Sequence, residues 1–548
     1  MDNVGDGYPD LLPSIDFSAN PYPTRRSVLM ARRGVVATSQ PLAVQAGIDM
    51  LQRGGNAVDA AIATAAALTV VEPTSNGIGS DAFALVWHDG RVHGLNGSGR
   101  APLAHSLSRL VAAGHEKVPP LGWEPVTVPG TPAAWRDLHA RFGKLPFPAL
   151  FEPAIQYAER GYPLSPVLAD SWARATHTYS RMHAPEFRAW MATFAPSGRA
   201  PRAGELWSSQ GHASTLRRIA ESNAVDFYHG DLARAITRFS QATGGLLTLD
   251  DLERHKSAWV DPISTAYRGY DVWEIPPNGQ GITALIALNI LEGFDLGTMA
   301  RDSAQSFHLG IEAIKLAFAD AHRYVADPDF EDVPLARLLD KDYARSRRAL
   351  IGNQALQPAP GDPDSGGTVY LCTADADGMM VSFIQSNYMG FGSGVVVPDT
   401  GIALQNRGAN FSLDPTHPNR LHPGKRPYHT IIPGFLTREG QPVGPFGVMG
   451  GFMQPQGHLQ MVVNTIDYAM NPQASLDAPR WQWTHDKTIE IESDAAPKIA
   501  EGLRSMGHEV VTQEPGGGFG RGQIIWRLPS GAYAAASDKR ADGYAAGI

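Results

Sequence analysis

The sequence predicts an α+β chain, and three observations carry that expectation. Over 306–324, Phe307, Ile311, Ile314, Phe318 and Ala321 fall on one face at helical spacing. His88-Asp-Gly90, set between the apolar runs 82–86 and 91–95, is a hairpin signal. Asp375-Ala-Asp-Gly378 separates two further apolar runs in the same way. Helical and extended patterns interleave without separable blocks, and no repeat of about 20–50 residues points to a solenoid.

Taken in order, residues 1–34 read as a loosely ordered N-terminal tail. A helical pattern begins at Leu42 and stops at Gly54-Gly55, where glycine suits a helix C-terminus. Asn56 is placed to cap the next helix, an Ala-rich segment running to about Val71. A mainly helical stretch follows, with Trp172, Trp190 and Trp207 scattered along it. Residues 351–367 are rich in Pro, Gly and Asp and predict an exposed, mobile linker. A strand opens at Thr368, and Cys372 within it reads as a small buried hydrophobe.

Composition narrows the function. Across 548 residues, 46 basic and 55 acidic side chains give a net charge of −9 without a basic tract, which argues against nucleic acid as partner. A single cysteine excludes an internal disulfide and a thiolate zinc site. The longest apolar stretch, 60–71, is too short to cross a bilayer, and the first 24 residues lack the apolar core of an export signal. The expectation is a cytoplasmic protein without membrane contact. Gly516-Gly-Gly-Phe-Gly-Arg-Gly522 leads into an apolar strand and not into a helix, so it is no dinucleotide fingerprint. Asp375-Ala-Asp-Gly378 lacks the remaining ligands of a calcium loop, and no His-Glu-x-x-His pair occurs. No cofactor and no metal are expected.

The most informative segment is Asp364-Ser-Gly-Gly-Thr-Val-Tyr370. A free hydroxyl is a poor nucleophile, but cutting the chain before Thr368 would give it an α-amine as its own base. That amine, with a reference pKa of about 7.7–8.0, is matched to general-base work near neutral pH. Glycines before the cut reach strained backbone conformations at little cost. By its local sequence alone, Thr368 is equally a strand-opening threonine behind a flexible loop.

The flanks decide between these. They run Ser382-Phe-Ile-Gln-Ser-Asn-Tyr-Met-Gly-Phe-Gly-Ser-Gly394, Gly401-Ile-Ala-Leu-Gln-Asn-Arg-Gly408 and Lys425-Arg-Pro-Tyr-His-Thr430. Met50-Leu-Gln-Arg-Gly-Gly-Asn-Ala-Val-Asp-Ala-Ala-Ile62, Gly244-Gly-Leu-Leu-Thr-Leu-Asp-Asp-Leu252, Tyr267-Arg-Gly-Tyr270, Asn289-Ile-Leu-Glu-Gly293 and the stretch 534–547 add ordered matches over nearly the whole length. In these the chain resembles the γ-glutamyltransferase family of N-terminal nucleophile hydrolases. The resemblance implies a four-layer αββα sandwich and self-cleavage between Gly367 and Thr368. It implies a large subunit of residues 35–367 behind the tail and a small one of 368–548, associated with each other; an oligomer of that pair is left open.

The same resemblance assigns roles. Thr368 would be the nucleophile, with Ser386 hydrogen-bonded to it, and Gly450 and Gly451 would offer backbone N–H groups to the oxyanion. Arg100 matches the arginine that clamps a substrate carboxylate, a task suited to a planar fork. Asn387 lies one position from the family's usual asparagine. Arg407 and Asn410 stand where typical members have Gln and Asp for the substrate ammonium, and His429 and Thr430 replace a serine pair. The departures resemble a divergent branch that includes class IV cephalosporin acylases and oxamate amidohydrolases. The segment 411–424 is short for the family's lid, which favours water as acceptor. A γ-glutamyl amide such as glutathione is the default substrate; a glutaryl or other dicarboxylate amide, or oxamate, is the alternative. From another class, an uncleaved binding protein that kept the fold is the rival.

Overall fold

The computed structural model describes residues 11–14, 16, 19–24, 26–358 and 367–548. Two seven-stranded antiparallel sheets form its centre. The first runs, edge to edge, Tyr544–Gly547, Gly34–Thr38, Gly367–Asp375, Met380–Tyr388, Asp81–His88, Arg91–Asn96 and Ala258–Val260. The second runs Leu29–Ala31, Tyr533–Ser537, Arg521–Arg527, Gln441–Met449, Gly434–Arg438, Tyr270–Glu274 and Ile263–Tyr267. Strand alternation sends Phe83, Leu85, Tyr370, Cys372 and Ile384 of the first sheet against Phe435, Met449 and Ile525 of the second, forming one dry layer between them.

Helices cover both outer faces. Ala57–Val71 is apolar all round and every one of its residues is buried, as expected of a helix enclosed on all sides. Asn56 caps it as the sequence predicts. Its Oδ1 accepts from the Asp59 amide at 3.0 Å, and the Asp59 carboxylate accepts from the Asn56 amide at 3.0 Å. Gly281–Leu291, Ala304–Tyr324 and Met453–Ile466 cover the second sheet. The predicted αββα layering is therefore present. Both sheets mix strands from either side of residue 368, so a cut there leaves two interleaved pieces.

One expectation fails. The described part of the tail is docked, with Leu29–Ala31 paired to Tyr533–Ser537 as an edge strand. Leu11 and Leu12 are buried, and the Tyr270 hydroxyl donates to the Leu11 carbonyl at 2.6 Å. A polar, Pro-rich composition hid one apolar pair with a distant partner. Residues 1–10 lie outside the described residues, as do 359–366 of the expected linker. Before them, the Leu356 amide donates to Glu312 at 2.9 Å and the Ala355 amide to the Met506 carbonyl at 2.7 Å. Among the described residues no helix is long and apolar enough to cross a membrane.

Candidate active site

Thr368 sits where the ladder between Gly367–Asp375 and Met380–Tyr388 breaks register: Gly367 pairs with Tyr388 and Val369 with Gln385. The extra residue lies on the second strand, a bulge of the kind that re-aims side chains. Thr368 Oγ1 lies 3.0 Å from Ser386 Oγ, and the Tyr388 amide donates to that same Ser386 oxygen at 2.8 Å. Both hydroxyl residues are fully buried in the continuous chain.

Directly across the next ladder from Ser386 stands Asp81, a residue the sequence reading passed over. Its carboxylate accepts from His429 Nε2–H at 2.8 Å and from the Gly99 amide at 3.3 Å. The Ile431 amide donates to His429 Nδ1 at 3.4 Å, which fixes the neutral tautomer with its proton toward Asp81. Burial, and then the nearby Arg407 charge, push the His429 pKa down to about 4.

Arg407 is fully buried on a short 3-10 turn, Arg407–Asn410. Its Nη1 donates to Thr430 Oγ1 at 2.5 Å, its Nε lies 3.5 Å from Asp81 Oδ2, and its guanidinium covers the Tyr388 ring at 4.6 Å. Burial lowers its pKa to about 10. Gln280, also unforeseen, closes the circuit: its Nε2 donates to the Thr430 carbonyl at 2.6 Å and to the Gly451 carbonyl at 3.0 Å.

Gly450 and Gly451 have φ of 139° and 60°, and a Cβ on Gly450 would lie 3.1 Å from the Gly520 Cα. Only glycine adopts that first conformation without strain. The pair stands just before the helix Met453–Ile466, and among the described residues neither amide has an acceptor. Amides at a helix N-terminus suit developing negative charge.

The remaining predicted residues lie around this core. Asn387 Oδ1 accepts from the Ser80 hydroxyl at 2.8 Å, and among the described residues its Nδ2 has no partner. Asn410 accepts from Asn419 at 2.6 Å through its carbonyl. Arg100 lines an open cleft of about 390 Å³ together with Asn96, Asn278 and Arg426. Its Nη1 donates to Asp327 at 3.1 Å and to the Gly424 carbonyl at 3.0 Å, and its Nη2 pairs with Asp329. Cleft and cluster share backbone, since the Asn278 carbonyl accepts from the His429 amide at 2.9 Å and Gly99, which holds Asp81, precedes Arg100. The short segment 411–424 packs beside Arg100, with the Gly424 amide donating to the Ala101 carbonyl at 3.1 Å.

Elsewhere, the side-chain ligand atoms of His308, Glu312 and His508 lie within 4.8 Å of one another. Lys315 already donates to the Glu312 carboxylate at 2.8 Å, and His308 Nδ1 lies 2.8 Å from His508 Nε2. Through His308 and Lys315 these groups tie down the chain around Gly352 and Leu356, and among the described residues His508 Nδ1 has no partner.

The family model of Gamma-glutamyltranspeptidase matches residues 43–548. The chain belongs to this family. Over 95% of its length it is 38% identical to the glutathione hydrolase-like YwrD proenzyme of Bacillus subtilis (strain 168), all of which is covered. Over 94% it is 35% identical to the oxamate amidohydrolase proenzyme of Klebsiella pneumoniae, with 99% of that protein covered. The crystal structure of cephalosporin acylase from Bacillus halodurans matches with a TM-score of 0.93 and 58% identity, covering 97% of this chain and 99% of that one. This γ-glutamyltranspeptidase-family protein is thus an enzyme with the N-terminal nucleophile hydrolase fold, acting on amides of the γ-glutamyl or acyl type.

Proposed function

We propose that the protein is a self-processing threonine amidohydrolase that forms an acyl-enzyme on Thr368 and passes the acyl group to water. The observation that carries this reading is the Thr368 hydroxyl, next to the Gly367 peptide and 3.0 Å from Ser386 at a ladder break. In processing, Oγ1 attacks the Gly367 carbonyl and the peptide nitrogen leaves as an amine, giving an ester. Water then cleaves that ester, releasing a Gly367 carboxylate and the free Thr368 α-amine. In turnover this amine takes the Oγ1 proton as Oγ1 attacks the substrate amide, and returns it to the departing amine. Gly450 and Gly451 offer N–H groups to the oxyanion; one such donor is worth about 10²–10³ in kcat. Water then repeats the attack on the acyl ester.

For the acyl group, the same proposal names an amide whose acyl part carries a carboxylate and no ammonium. Where a glutamyl ammonium would need acceptors, the structure has Asn410 and a buried arginine, and Asp81 is already engaged by His429. The likeness to a glutathione hydrolase-like protein supports a second reading, γ-glutamyl amides. A cytoplasmic location and a heterodimer of residues up to 367 with residues from 368 belong to the proposal. Hydrolysis of glutaryl- and γ-glutamyl-p-nitroanilide by the purified protein and by Thr368→Ala tests it. Turnover by the wild type, faster on the glutaryl amide and absent in the variant, is expected. Equal turnover by the variant would overturn the assignment of the nucleophile, and preference for the γ-glutamyl amide would favour the second reading.

A further inference from the structure

The glycine-rich segment 516–522 leads into a strand and so offers no dinucleotide site, yet its backbone is folded onto the oxyanion donors. The ladder between Gln441–Met449 and Arg521–Arg527 ends at the pair of Met449 with Arg521, which leaves Gly450 facing Gly520. A Cβ on Gly450 would lie 3.1 Å from the Gly520 Cα, and a Cβ on Gly520 would lie 2.5 Å from the Met449 carbonyl oxygen. Gly520 has a φ of 73°, a left-handed conformation that glycine takes without strain. The Met449 carbonyl and the Gly450 N–H belong to one planar peptide. Contact that fixes this oxygen therefore also fixes the direction of the N–H offered to the oxyanion.

Gly520 is held in turn from its other side. Arg480, fully buried, donates from Nη1 to the Phe519 and Gly520 carbonyls, each at 3.0 Å, and from Nη2 to Asp538 at 2.5 Å. The same Asp538 oxygen accepts from the Gly522 amide at 2.8 Å, and the Asp538 amide donates to the Gly522 carbonyl at 3.1 Å. Only a planar fork serves two carbonyls and a carboxylate at once. We infer that Gly520 is the positioning residue for the Gly450 donor and that Arg480 keeps Gly520 in place. The inference rests on the reading of Gly450 and Gly451 as oxyanion donors. Aim matters there: one such donor is worth about 10²–10³ in kcat, and a misplacement of about 1 Å costs about 10².

The test measures kcat and KM for glutaryl-, butyryl- and γ-glutamyl-p-nitroanilide, and inhibition by butylboronate and butyrate, on the self-cut wild type and its variants. Butylboronate accepts an Oγ1 lone pair on boron and becomes a tetrahedral anion, whereas butyrate resembles only the planar product. Gly520→Ala is expected to lower kcat about 100-fold on every amide turned over, with KM within threefold. It should weaken butylboronate about 100-fold and butyrate less than threefold. Arg480→Lys, which keeps the charge and loses the fork, is expected to lower kcat about 10-fold; a wild-type kcat would remove Arg480 from the account. Gly516→Ala, whose Cβ would meet nothing closer than 3.8 Å, is expected at the wild-type rate, and an equal fall there would count against Gly520. A folded Gly520→Ala with kcat within threefold of the wild type, or with its loss confined to KM, would overturn the inference. Should the variants fail to fold, hydrogen exchange of the wild type in rising urea decides: activity lost as the 516–522 amides open supports the inference, and activity that survives their opening refutes it. A wild type that binds butylboronate no more tightly than butyrate would instead sink the oxyanion reading, and one that hydrolyses none of the amides would sink the assignment of Thr368.

Discussion

Two arginines flank the same stretch of backbone and differ in what surrounds them. Arg100 is about a third exposed in the cleft and is matched by two carboxylates and a carbonyl. Arg407 is fully buried, donates to Thr430 and is ion-paired with Asp81, whose carboxylate lies 3.5 Å from its Nε. A positive charge in a pocket is therefore not itself a binding site. Burial is what separates the two: water screens the partners of the partly open arginine, whereas the buried one depends on a single carboxylate.

The comparison can be broken in order of expected effect. Thr368→Ala removes the reacting atom on which both arginines depend, and turnover is expected to fall by at least about four orders of magnitude on every amide. A residual rate within tenfold of the wild type would detach both arginines from the chemistry. Asp81→Asn leaves the buried Arg407 charge without its partner, and loss of one member of such a pair costs about 3–5 kcal/mol. Denaturant unfolding of the variant measures this; a change below about 1 kcal/mol would mean that Arg407 does not need Asp81.

Arg100→Met should lower turnover of glutaryl and butyryl amides by similar factors, since Arg100 is matched internally and holds the cleft loops. A loss confined to the glutaryl amide would make it the carboxylate receptor after all. Acid gives the next test. Burial lowers the pKa of His429 and of His212, another buried histidine, to about 4 in the fold, against about 6.5 unfolded. The unfolded state then binds more protons, so stability is complete above about pH 6.5 and falls as pH drops toward 4. The slope is about 1.4 kcal/mol per pH unit for each histidine. His429→Asn should flatten that limb of the Tm–pH curve, and an unchanged limb would contradict the buried neutral tautomer. Least of all, Asp329→Asn alters an exposed carboxylate shared by Arg100 and Arg426 and should change stability by under about 1 kcal/mol, with salt masking even that.

How much of this was legible in the sequence follows from the range of each interaction. The Asn56 cap, the hairpin at His88-Asp-Gly90 and the strand pair after Thr368 depend on neighbours within a few residues, and they stand where the sequence predicts. Thr368 lies against Ser386, and Arg407 against Thr430, in contacts between segments that the sequence singles out. Asp81 was missed because it opens an apolar strand and gains its meaning only from pairing with Ser386, about 300 residues on. Its one local signal was a charge at the edge of the run Asp81–His88. Gln280 and the Asp327–Arg100 pair are long-range in the same way. The bond from the Ser80 hydroxyl to Asn387 Oδ1 is long-range too, joining residues about 300 apart. The docked tail depends on Leu11 meeting Tyr270, which no local composition reveals.

The central claim is that Thr368 is freed by its own attack on the Gly367 carbonyl, and denaturing intact mass tests it most directly. The purified protein, incubated beside Thr368→Ala, is expected to give fragments of about 39 and 20 kDa by residue share of 58.9 kDa, with a new N-terminus at Thr368. The variant should keep a single full-length mass. A wild type that stays whole through long incubation, or a variant that cuts at the same place, would contradict the account.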